Sequence, residues 1–130
     1  MAAATKDLER PARSGDAYGY QVSAGVRHFG RTIVAITAAL ASVPPDDEDA
    51  VAVVGLAEEQ VDNRDGATGD QLVRAVRGVR LFPVTAAGAD DIGKTVYAAD
   101  DQTLQLTNAG GELAAGIIDG VDADGVWVRF

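Results

Sequence analysis

The sequence has no cysteine, so disulfides and thiolate metal sites are excluded, and the redox compartment is left open. Aromatic residues are scarce, at 3 Phe, 3 Tyr and 1 Trp, and the other apolar residues are mostly Ala and Val. Such small side chains remove little area from water at roughly 25 cal/mol per Å², so subunit contacts are expected to supply part of the stability. The single histidine is His28, which leaves any hydrolytic or metal scheme one imidazole to share. No apolar run reaches the roughly 18 residues of a membrane helix. Met1-Ala2-Ala3-Ala4 passes directly into charged residues with no signal-type segment, so the chain is expected to stay in the cytosol unless it joins a particle. Basic residues are few, 11 against 20 acidic, for a net charge of -9. That balance lacks the basic footprint needed on nucleic-acid phosphates. A length of 130 residues fits one domain with a core.

What is present is organised around the ending, Gly116 to Phe130. Val126, Val128 and Phe130 alternate with Trp127 and Arg129, so a strand there has one face of each set. Asp124-Gly125 signals a reversal, with Ile117-Ile118 as the incoming strand and 119–125 as the loop. Ending on an apolar strand, the segment is expected to be tied into a sheet.

Residues 1–20 have little to bury and read as an arm, either a solvated tail or a segment that orders on a partner. Residues 21–130 form the β domain. Tyr20, Val22, Ala24 and Val26 alternate as a strand does. Thr32-Ile33-Val34 is a β-branched run and favours a strand over 30–38, although Ile33, Ile36, Leu40 and Val43 also fit a helix. The strand reading is favoured by an internal echo: Gly30-Arg31-Thr32-Ile33-Val34-Ala35 matches Gly93-Lys94-Thr95-Val96-Tyr97-Ala98, and Gly55-Leu56 matches Gly116-Ile117. The echo suggests a duplicated hairpin unit. Pro44-Pro45-Asp46-Asp47-Glu48-Asp49 is an acidic turn whose openness argues against a metal site. Residues 50–56 are an apolar run of strand length, and 62–70 a loop. Leu72 to Phe82 reads as strand with Gly78 as a bulge, with a helix over 72–77 as the rival.

Two motifs suggest chemistry. Gly88-Ala89-Asp90-Asp91-Ile92-Gly93-Lys94-Thr95 satisfies the phosphate-loop pattern, and with Lys94 and Thr95 in their usual roles it would make a nucleotide-binding enzyme. The mechanism needs a buried strand before the loop and a helix after it, whereas Val96-Tyr97-Ala98-Ala99-Asp100-Asp101 follows. Asp119, Asp122 and Asp124 resemble a calcium loop, but counting from Asp122 places Val126 at the third ligand position. His28 beside Phe29 reads as a structural residue. No serine lies in a nucleophile elbow, and no catalytic residue, cofactor site or metal site is expected.

Several segments together resemble the small tailed-phage capsid decoration, or head cement, proteins. They are Thr5-Lys6-Asp7 through Pro11 and Arg13, Gly55 to Asn63, Arg77 to Phe82, Asp91 to Tyr97, Asp100-Asp101-Gln102-Thr103, and Gly125 to Phe130. The resemblance implies a mainly β, barrel-like or sandwich-like domain with an extended N-terminal arm. It also implies homotrimers on the outer capsid surface of the virion, head stabilisation through the major capsid protein, and no catalysis, nucleic-acid binding or membrane contact. Lys6, Asp7, Glu9, Arg10 and Arg13 on the arm, with Arg74, Arg77 and Arg80, are the expected capsid or subunit contacts. A phage tail or fibre subunit is the structural alternative.

Overall fold

The computed structural model describes residues 2–7, 9–44 and 46–130; Met1 and Leu8 of the expected arm and Pro45 of the expected acidic turn lie outside them. The chain is mainly β. Regular structure begins with β1 (Ala17–Val22), earlier than the alternation from Tyr20 to Val26 implies. Pairing decides the difference. β1 lies antiparallel to β7 (Leu72–Val76) from Ala17↔Val76 to Gln21↔Leu72, and Gly25 turns the chain away with φ +78°. Ala17 to Tyr20 of the expected arm are therefore strand residues. Leu72–Val76 is strand, not helix.

Between these strands run β2 (Arg27–His28), β3 (Ile33–Thr37), β4 (Leu40–Ser42), β5 (Ala52–Ala57) and β6 (Val61–Asp62). β1, β4, β3, β5 and β7 close a barrel in that order. The closure includes one parallel pair, β1 on β4, at Gln21↔Leu40 and Val22↔Ala41. Val22, Val34, Ala41, Val54, Ala57, Val61, Val73 and Ala75 pack together as one core cluster. Ile33, next to Val34, belongs to a second cluster with Leu56 and residues of the C-terminal half. This explains the uninterrupted β-branched run: both faces of β3 are covered, so Ile33, Val34 and Ala35 are all fully buried.

The second half consists of β8 (Val79–Leu81), β9 (Thr95–Ala98), β10 (Leu104–Gln105), β11 (Ala114–Asp122) and β12 (Gly125–Arg129), in the order β10-β9-β11-β12-β8. Gly78, with φ +134°, is a junction between β7 and β8, which belong to different sheets, and not a bulge within one strand. The terminal hairpin forms, with a shorter loop than 119–125. Val121↔Val126 and Asp122↔Gly125 are paired, so residues 119–122 are strand and the reversal is made at Ala123-Asp124. Phe130 is tied in by an N–H donated to the Gly78 carbonyl at 3.0 Å and by edge-on packing against Phe82, ring centroids 5.2 Å apart.

The two halves repeat one topology. With the short β2–β6 pair of the first half set aside, the first strand of each pairs antiparallel with the last, the next two form a hairpin, and the following strand lies on that hairpin's outer edge. The parallel closure recurs as well, because Val84 bridges Leu104 in parallel, as Val22 does Ala41. The sequence echo falls on equivalent strands with a one-residue offset: Val34 opposes Gly55 and Val96 opposes Gly116. Both glycines are required sterically. A Cβ on Gly55 would lie 2.6 Å from the Val76 carbonyl oxygen, and one on Gly116 would strike that of Arg129. Gly55 also has φ +142°, a conformation costly to any other residue.

Candidate functional site

Lys6, Asp7, Glu9, Arg10 and Arg13 are all exposed in the segment before β1. Arg13 places its guanidinium 4.4 Å from the Tyr18 ring centroid, a cation–π contact at the base of that segment. Arg74, Arg77 and Arg80 are also exposed. Arg74 pairs with Glu58 at 3.3 Å, and Arg77 anchors the chain by donating its backbone N–H to the Asp16 carbonyl at 2.7 Å. Arg80 sits mid-strand in β8 opposite Val128. These arginines are therefore set out along the β7–β8 passage between the two halves and are not gathered into one cluster.

Sequence reasoning missed an apolar outer face. The register rows Val79↔Arg129↔Ile117 and Leu81↔Trp127 place these residues on one side of the β8-β12-β11 sheet. Val79, Leu81 and Ile117 are 42%, 48% and 42% exposed, with Arg129, paired to Asp119, standing between Val79 and Ile117. Trp127 is half-buried in this face, with its indole N–H donated to Asp122 Oδ2 at 2.9 Å. The available signal was the alternation Val79-Arg80-Leu81, which reads equally well as a buried strand.

The phosphate-loop-like segment forms a single 3-10 turn, Ala89–Asp91, and then strand β9. Most of its amides are already used. Gly88 N–H donates to Asp91 Oδ2, Asp91 to Gly88 O, Ile92 to Ala89 O, Gly93 to Ile118 O and Lys94 to Asp91 O, so the loop does not present the run of free N–H groups that cradles a phosphate. Lys94 Nζ binds Asp91 Oδ1 at 2.8 Å. That bond, together with the Gly88 N–H, holds the Asp91 carboxyl below the usual range.

Other carboxylates have local partners too. Asp122 Oδ1 caps the hairpin by accepting Asp124 N–H at 2.9 Å, and Asp119 pairs with Arg129. Asp47 accepts from Thr37 Oγ1 and from Asp49 N–H, so the acidic turn is pinned to β3. Among the described residues, no group of three or more His, Asp or Glu is arranged to hold a metal ion.

His28 is fully buried. Burial pushes its imidazole down to about 4, with the nearby Ala41 backbone opposing the shift. Neither ring nitrogen makes a well-aligned hydrogen bond among the described residues. A neutral buried ring of this kind is structural. No known family, characterised protein or solved structure matches the chain.

Proposed function

We propose that the chain is a capsid decoration protein of a tailed phage, a structural and non-catalytic component of the outer capsid surface. It binds the assembled head, with other copies of itself as a homotrimer, and holds neighbouring major capsid subunits together. The observation that carries the reading is the exposed face of Val79, Leu81 and Ile117 on β8-β12-β11, apolar around the Arg129–Asp119 pair. A face of this kind on a small acidic domain suits burial against another subunit. The ordered resemblance of short segments along nearly the whole chain supports it further. Binding only the assembled shell stabilises that shell by linkage, and many modest contacts act together through multivalency.

The test is co-sedimentation with undecorated heads assembled from a major capsid protein encoded beside this chain. Saturable binding to heads, with none to unassembled capsid protein, is the expected result. Equal binding to both, or the lack of any neighbouring capsid gene, would overturn the reading.

A further inference from the structure

The sheet of the second half ends on a strand whose outer edge is unpaired. β8 is the last strand in the order β10-β9-β11-β12-β8, and its register with β12 fixes which of its backbone groups are used. Gly78 and Phe130 exchange N–H···O bonds at 3.5 and 3.0 Å, and Phe82 N–H donates to the Val126 carbonyl at 3.0 Å. Bonded pairs alternate along an antiparallel ladder, so Arg80 bonds towards Val128, and the N–H and C=O groups of Val79 and Leu81 point away from β12. Among the described residues nothing hydrogen-bonds to them. Past Leu81 the edge is taken again, because the Pro83 carbonyl accepts Leu104 N–H at 3.0 Å. The opening is therefore Val79-Arg80-Leu81, and an open edge is a template for one more strand.

The side chains along this edge specify what fits it. Residues opposite each other on neighbouring strands share a face. A residue added opposite Val79 or Leu81 lies on the outer face, and one opposite Arg80 lies on the other side, where Arg80 borders a hollow of about 380 Å³ with Arg31, Leu56 and Gln102. Arg31, Arg77 and Arg80 form no ion pair among the described residues, whereas Arg64, Arg74, Lys94 and Arg129 each do. Unpaired cations thus surround the edge in a chain of net charge -9, and their complement is an apolar, acidic, apolar sequence. The chain's own segments do not match. A second β8 in register would set Arg80 against Arg80. In the N-terminal segment, Asp7-Leu8-Glu9 is flanked by Lys6 and Arg10, so whichever carboxylate faced Arg80, a cation would fall beside Val79 or Leu81.

We propose that β8 accepts an acidic extended segment of a partner protein as an added antiparallel strand, with apolar residues beside Val79 and Leu81 and a carboxylate between them facing Arg80. It rests on the capsid reading only for the partner's identity, a shell subunit.

The test is NMR titration of the full chain with the acetylated, amidated peptide Thr-Val-Glu-Val-Thr. Saturable shifts at residues 78–82 are expected, with slower hydrogen exchange at the Val79 and Leu81 amides and not at Arg80, whose N–H is already bonded. Replacing the peptide's glutamate by glutamine should weaken binding about tenfold, Arg80→Glu should reverse the preference towards a lysine at that position, and methylating both valine nitrogens should abolish binding. No saturation, equal binding of the methylated peptide, or tighter binding of a peptide of residues 2–16 would each overturn the proposal. So would an Arg80→Ala variant that binds every peptide more tightly, since Arg80 would then guard the edge against pairing. Heads that bind Arg80→Glu as well as the wild type would overturn this edge as the contact and leave the capsid reading intact.

Discussion

Mild acid should destabilise this protein through His28, before the carboxyls of Asp47, Asp62 and Asp91 are protonated. The imidazole is fully buried, and its pKa is lowered from 6.5 to about 4. The fold therefore keeps the ring neutral while the unfolded chain takes up a proton, so stability is fully present above the unfolded value and falls as pH drops from 6.5 towards 4. At about 1.4 kcal/mol per pKa unit, the loss is about 2 kcal/mol near pH 5 and levels off at about 3 kcal/mol below the folded value. Asp47, Asp62 and Asp91 have lowered values, so their contributions disappear only in stronger acid. Asp101, whose value is raised, acts weakly in the opposite direction. Urea unfolding at neutral pH and near pH 5, in the wild type and in His28→Leu, isolates the effect because leucine fills similar space and cannot protonate. The wild type should lose about 2 kcal/mol between the two conditions and the variant very little. The same pH slope in both proteins would refute the assignment.

Gly55→Ala and Gly116→Ala should each lower stability by about 2 to 4 kcal/mol, because the new methyl meets a carbonyl of the neighbouring strand. Urea midpoints unchanged in either variant would contradict the shared geometry of the two halves. Asn63→Ala should cost about 2 to 3 kcal/mol, since Asn63 Nδ2 ties Val22, Ser23 and Ala67 carbonyls together at 3.1, 3.2 and 3.0 Å; thermal melts measure it. Leu81→Asp with Ile117→Asp should change stability by less than about 1 kcal/mol because both side chains are exposed. Their binding to heads, read by co-sedimentation, should nevertheless fall sharply.

Much of the fold was legible where patterning and turn chemistry agreed. Ile33-Val34 formed a strand as the β-branching implied, and the chain reverses at Ala123-Asp124 beside the expected Asp124-Gly125 signal. Strand limits set by partners were harder to read. Ala17-Tyr18-Gly19 carries no apolar alternation and is strand because β7 lies along it, and Asp119 is the bulged residue of β11 between the Ile118↔Val128 and Gly120↔Trp127 pairs. The duplication extends further than the two short matches indicated: Tyr20-Gln21-Val22-Ser23 and Phe82-Pro83-Val84-Thr85 occupy equivalent parallel closures. The apolar outer face was hidden because exposed and buried strands share one alternation. The cleft between the β3–β4 hairpin and the β9–β10 turn joins residues about sixty positions apart, and no local pattern records it.

The proposed stabilisation of an assembled head is measured directly by DNA release from heads under heat or osmotic shock, with and without added protein. DNA-filled heads incubated with the full chain should release DNA only at distinctly higher temperature or stronger shock than bare heads. Protein lacking residues 2–16, all exposed where described, should remain folded and protect less, because the segment's contacts with the shell are lost. Release curves for bare and coated heads that coincide would rule out a stabilising role on the capsid.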